Sequence, residues 1–164
     1  MTKRDDKAFI FYFLMTIIFF DFGNQIKKLS YHPFFENFSN PFFSIIHINN
    51  TGSAFSLFQN QANILAIIGI IAIFILTFYV YKFVTFKEKG TLLAITLFCA
   101  GTLGNIIERI QLGFVVDYIK LNFINFPIFN SFDVMICTGI FIYIVFVLLD
   151  FKKELKIDNN SNQK

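Results

Sequence analysis

Four apolar stretches alternate with polar connections along the chain. The first runs from about Ala8 to Ile26 and is interrupted near its end by Asp21, Gly23 and Asn24. The second, Ala62 to Tyr81, carries no charge. The third begins near Thr91 and continues to about Ile107, and the fourth covers Val134 to Leu149. A helix needs about 20 apolar residues to cross a bilayer, within a range of about 17 to 25. The second stretch meets that length outright. The other three are short or polar-tipped, so their ends are expected to meet a wet cavity or packed protein.

Two longer connections lie at about 27–61 and 111–131. In the first, SIIHINNTGSAFSLF joins an apolar, strand-like run to an Asn-Thr-Gly turn. The second contains GFVVDYI and NFPIFN, where Pro127 biases Phe126 toward extended geometry. Connections of this length in a compact bundle usually serve function. The predicted fold is an α-helical membrane protein: four transmembrane helices with a small extracytoplasmic β-sheet lying on the membrane's outer face. One domain is expected over 1–150, with a polar tail at 151–164 that frays.

Composition agrees. The chain is 55% hydrophobic and only 15% charged, against about 25% charged for soluble domains. A net charge of +3 is too small to argue for a nucleic-acid partner. Charge placement says more. Lys3, Arg4, Lys7, Lys82, Lys87, Lys89, Lys152, Lys153, Lys156 and Lys164 all fall at one end of the spans, ten of the 14 basic residues. The positive-inside rule makes that end, and both termini, cytoplasmic. The N-terminal stretch lacks a small-residue cleavage site and reads as a retained helix rather than a signal peptide. Cys99 and Cys137 fall in apolar stretches, and His32 and His47 form no ligand cluster, so neither a disulfide, a metal nor another cofactor is expected.

The polar residues that remain collect on the outer side. Asp117, in GFVVDYI, and Asp133, in FNSFDVMI, sit sixteen positions apart where apolar helices would meet the membrane surface. Ionisable groups at such positions are expensive and usually functional. Two converging carboxyls can share one proton, as in aspartic peptidases. NNTGSAF supplies Asn50, Gly52 and Ala54, and GTLGNIIERI supplies Gly101, Gly104, Asn105, Glu108 and Arg109. On a helix Gly101, Asn105 and Arg109 share one stripe, with Gly104 and Glu108 on the next. The small residues admit a neighbouring backbone. Arg109 is expected to pair with Glu108 or a nearby carboxylate and hold the helix end. A different reading of the same acids is a proton relay in a small transporter subunit, but a relay needs acids stepping across the membrane, and here the second span is blank.

In order along the chain, these motifs resemble those of lipoprotein signal peptidase (signal peptidase II). NTGSAF is similar to N-x-G-x-A-F, GTLGNIIERIQLGFVVDYI to G-x-x-G-N-x-x-D-R…G-x-V-x-D-F, FNSFDVMI to F-N-x-A-D, and NQIKK to D-Q-x-x-K. The resemblance implies a four-helix aspartic endopeptidase of the bacterial inner membrane with its active site near the outer face. It would remove the signal peptide of a prolipoprotein just before a diacylglyceryl-modified cysteine. Membrane lipids and peptide antibiotic inhibitors are the other partners implied. Asp117 and Asp133 take the places of the catalytic pair, and Asn50, Gly52, Asn105, Glu108, Arg109 and Asn130 those of supporting residues. Asn24 and Lys28 fall on the first-helix element. Three positions depart from the pattern: Asn24 and Glu108 each stand where Asp is usual, and Phe132 stands where Ala is usual. Beside Asp133, the bulk of Phe132 is expected to narrow the pocket or meet an acyl chain.

Overall fold

The computed structural model describes residues 5–35, 38–53 and 57–161, with side chains through Lys153. Ala54 of NTGSAF, and the basic residues Lys3, Arg4 and Lys164, lie outside the described residues. Four helices, α1 (Asp6–Ser30), α2 (Ala62–Phe83), α3 (Lys89–Leu112) and α4 (Ser131–Ser161), are joined at one end by two strands, β1 (Phe43–Asn50) and β2 (Val115–Leu121). All four are long and apolar enough to cross a membrane. Each runs past the apolar core read from sequence, and α4 continues as helix as far as Ser161, into the segment expected to fray.

Local chemistry sets the helix limits. Asp5 begins α1 by accepting from Lys7 N at 3.1 Å and Ala8 N at 3.2 Å, the role of a capping residue. Lys27 and Lys28 in its last turn suit the negative end of the helix dipole. Gly113 ends α3 in the left-handed region (φ +80°), and its N–H returns to Arg109 O.

α3 is the central post. Of its most apolar window 61% is buried, against 11%, 17% and 17% for α1, α2 and α4, so three helices pack on one and turn their remaining faces outward. The α3–α4 seam is the tightest. A Cβ on Gly101 would stand 2.4 Å from Phe132 O, and one on Gly104 2.5 Å from the Phe132 ring. The two backbones can meet there only because these side chains are missing.

β1 and β2 pair antiparallel, with Ile45 opposite Ile119 but Ile48 opposite Asp117. Three residues advance on β1 for two on β2, which is a bulge. Without it the register would continue to put Asn49, not Asn50, on the face of Asp117. The segment before α4 adds to the other edge of β2: Ile119 N donates to Phe129 O at 2.8 Å and Phe129 N to Ile119 O at 3.1 Å. The last residue before α4 is therefore held beside β2.

Candidate active site

Asp133 lies in the first turn of α4. Asn130 caps that helix: its Oδ1 accepts from Phe132 N at 2.7 Å and Asp133 N at 3.1 Å, and Asp133 Oδ2 accepts from Asn130 N at 3.0 Å. This reciprocal pattern is a capping box. It fixes the Asp133 carboxylate at the mouth of the helix. Asn105 on α3 donates through Nδ2 to Asp133 Oδ1 at 2.8 Å.

Asp117 reaches the same place from β2 and is 2% exposed. Its Oδ1 accepts from Asn130 Nδ2 at 2.7 Å and its Oδ2 from Asn50 Nδ2 at 2.8 Å. Asn50 and Asp117 are diagonal neighbours on one face of the sheet, within reach of each other. Asn130 Nδ2 also lies 3.2 Å from Asn105 Oδ1. Each carboxyl thus receives two N–H donors, and Asn130 donates to both. Burial first, then the charge of Asp133, push the Asp117 carboxyl up to about 6 from 3.8, while bonds from Asn50 and Asn130 and the Lys27 ammonium oppose the rise. Two carboxyls in this setting do not ionise independently.

Arg109 donates to Asn105 O at 3.2 Å and Gly52 O at 2.8 Å, tying the turn after β1 to α3. Gly52 N in turn bonds Asn50 Oδ1 at 3.0 Å, so the asparagine that meets Asp117 is braced from behind. The expected pairing of Arg109 with Glu108 is replaced. Glu108 forms its ion pair with Lys27 of α1 and accepts from Val116 N at 2.9 Å. The longer Glu arm spans from α3 to both α1 and β2.

Asn50, Gly52, Asn105, Arg109, Asn130 and the two aspartates therefore meet in one continuous network, and Glu108 adjoins it through the backbone N–H of Val116, the residue before Asp117. Asn24 and Lys28 are not brought into it: Asn24 is half-buried and Lys28 exposed. Lys27 takes the inward place. It lies on the stripe of Gly23 and Ser30, at i, i+4, i+7 spacing, and the structure buries both on the packed face; Asn24 and Lys28 share the i, i+4 spacing, so spacing alone does not single Lys27 out.

Phe132 does not border a pocket. It is 0% exposed, stacks on Phe20 at 6.1 Å between ring centroids, and fills the space left by Gly23 and Gly104. Helical geometry turns it about 100° away from Asp133 and into the bundle. The pocket-narrowing role expected for it is corrected to one of core packing.

The sequence matches the family described as signal peptidase (SPase) II over residues 12–149. It is 37% identical over 107 residues to the lipoprotein signal peptidase of Streptococcus pneumoniae, an alignment covering 65% of this chain and 69% of that protein. It is 31% identical over 122 residues to that of Enterococcus faecalis, covering 74% of each. A solved structure described as a bacterial membrane enzyme superposes with a TM-score of 0.78 at 28% identity, covering 93% of this chain and 95% of that one.

Proposed function

The chain belongs to the signal peptidase II family, and from that premise we propose that Asp117 and Asp133 are its catalytic pair, supported by Asn50, Gly52, Asn105, Glu108, Arg109 and Asn130. The protein is a multi-pass membrane enzyme and an aspartic peptidase that acts as a lipoprotein signal peptidase, with prolipoproteins as substrates. The observation that carries the site assignment is the double donation from Asn130, which holds one carboxyl from β2 and one from α4 in a single buried network.

One carboxyl of the pair is ionised and takes a proton from water as the water oxygen attacks the scissile carbonyl carbon. The other donates its proton to the carbonyl oxygen. Collapse of the tetrahedral intermediate breaks the C–N bond: the carboxyl that took the water proton gives it to the departing amine nitrogen, and the other carboxyl recovers its proton from the hydroxyl that reverts to a carbonyl. The scissile bond in this reading precedes a diacylglyceryl-modified cysteine, whose acyl chains stay in the bilayer. Peptide antibiotics that block this family would compete at the same carboxyls.

The basic residues at the end of the bundle away from the sheet support a topology with both termini in the cytoplasm and the site near the outer face of a bacterial cytoplasmic membrane. Residues 1–150 then act as one peptidase domain, with 151–164 as its cytoplasmic extension. Cleavage of a purified diacylglyceryl-modified prolipoprotein by wild-type enzyme, and its loss in Asp117→Asn and Asp133→Asn, tests the reading. Efficient cleavage of an unlipidated substrate would remove the lipid requirement.

A further inference from the structure

Val116 directly precedes Asp117, and both of its backbone polar groups are held by side chains. Its N–H donates to Glu108 Oε2 at 2.9 Å, and its carbonyl accepts from Lys27 Nζ at 3.1 Å. A strand residue's N–H and C=O point to the same edge. At Val116 that edge faces α1 and α3, where no third strand among the described residues continues the ladder. Lys27 and Glu108 stand in for the missing strand. They also pair with each other, at 12% and 13% side-chain exposure. A buried pair of this kind is weak evidence for stability, because desolvation offsets much of the attraction. What it supplies here is position.

We infer that Lys27 is a positioning residue for peptide hydrolysis: together with Glu108 it clamps the backbone of Val116 and so sets where the Asp117 carboxyl meets Asp133. The inference rests on Asp117 and Asp133 being the catalytic pair. The carbonyl that Lys27 holds belongs to the peptide linking Val116 to Asp117, so its plane fixes the direction in which the Asp117 side chain departs. Glu108 holds the preceding peptide from the other helix. Release of either frees the Val116 backbone and leaves Asp117 held only through its side-chain bonds to Asn130 and Asn50. Lys27 also places a positive charge close to Asp117. The other groups facing that carboxyl are Asn50 from β1, Arg109 from α3, and Asn130 and Asp133 from α4; Glu108 acts on it through Lys27, whose charge it neutralises.

The test uses the full-length enzyme with a diacylglyceryl-modified prolipoprotein substrate. Lys27→Met is expected to lower kcat by about tenfold to a hundredfold, the scale of a small misplacement of reacting groups, with KM little changed. Lys27→Arg, which keeps charge and donors, is expected to recover most of that loss. Lys27 opposes the rise of the Asp117 carboxyl, so removing the cation also moves the limb of the pH–rate profile that reports the dyad to higher pH. Glu108→Gln, which removes an anion, moves it the other way. A merely structural role would not produce opposite shifts. Wild-type kcat and an unmoved limb in folded Lys27→Met would overturn the inference. If that variant is not recovered folded, Lys27→Gln is read instead, and the same two results in it overturn the inference. Asp117→Asn serves as the control. If it is inactive while Lys27→Met behaves as wild type, the positioning inference alone fails; if it turns over, the site assignment fails first.

Discussion

Asn130 Nδ2 lies 2.7 Å from Asp117 Oδ1, and this bond joins the first turn of α4 to a strand that approaches from the other side of the site. The same residue caps α4 through its Oδ1. Helix capping and dyad alignment are thus two uses of one side chain, and they can be separated. Asn130→Ala should lose both, with a stability cost of about 1 kcal/mol for the cap. Asn130→Ser should restore the cap but is too short to reach Asp117. Thermal melts near wild type with strongly reduced turnover in the Ser variant are the expected pair of results. Full activity in Asn130→Ser would show that the Asp117 bond is dispensable.

Neither aspartate can act alone in the proposed chemistry. Asp117→Asn and Asp133→Asn should each lower kcat by about a thousandfold or more, within the range of a lost acid or base. The proteins should remain folded and inserted, since an amide is isosteric with the carboxyl. Single-turnover cleavage of lipidated substrate measures this directly. Appreciable turnover by either variant contradicts a shared-proton dyad.

Stability should depend on pH through Asp117. Its folded pKa of about 6 lies above the ordinary 3.8, so between those values the folded state holds a proton that the unfolded chain has lost. Folded stability therefore falls as pH rises through that window, by up to about 3 kcal/mol. Asp117→Asn cannot titrate. Its melting temperature relative to wild type should be more favourable at pH 7 than at pH 4. A difference that stays constant between the two pH values would argue against the raised carboxyl.

Phe132 makes a prediction of the opposite kind. It is buried against Gly23, Gly104 and Phe20, so Phe132→Ala leaves a cavity and should destabilise the bundle by about 3 kcal/mol. Among molecules that remain folded, KM for substrate should stay near wild type. A large change in KM with little change in melting temperature would return Phe132 to the pocket.

Topology can be read by labelling. Cysteines introduced near Asn40 or Asn122, at the sheet end, should react with an impermeant thiol reagent in intact cells, and one at Lys87, in the turn between α2 and α3, should not. The pattern follows from the basic residues at the Lys87 end. Labelling at Lys87 but not at Asn40 would invert the membrane orientation.

Much of this protein was legible in its sequence because membrane spans are local. An uncharged run such as Ala62 to Tyr81 can satisfy its backbone in lipid only as a helix. The order of motifs carried the two aspartates and most of their polar neighbours. Tertiary structure decided the rest. The motif named Asn50, but what turns it rather than Asn49 toward Asp117 is a bulge of one residue, and no local pattern announces that bulge, because it depends on how β1 and β2 come into register. The choice of Lys27 over Lys28, and of Lys27 over Arg109 as the partner of Glu108, depends on which face of α1 is buried against α3. Whether Phe132 narrows a pocket or fills a core turns on the missing side chains of Gly23 and Gly104 in two other helices. Sequence named the chemical groups; the packing of three helices and a short sheet on α3 determined which of them touch.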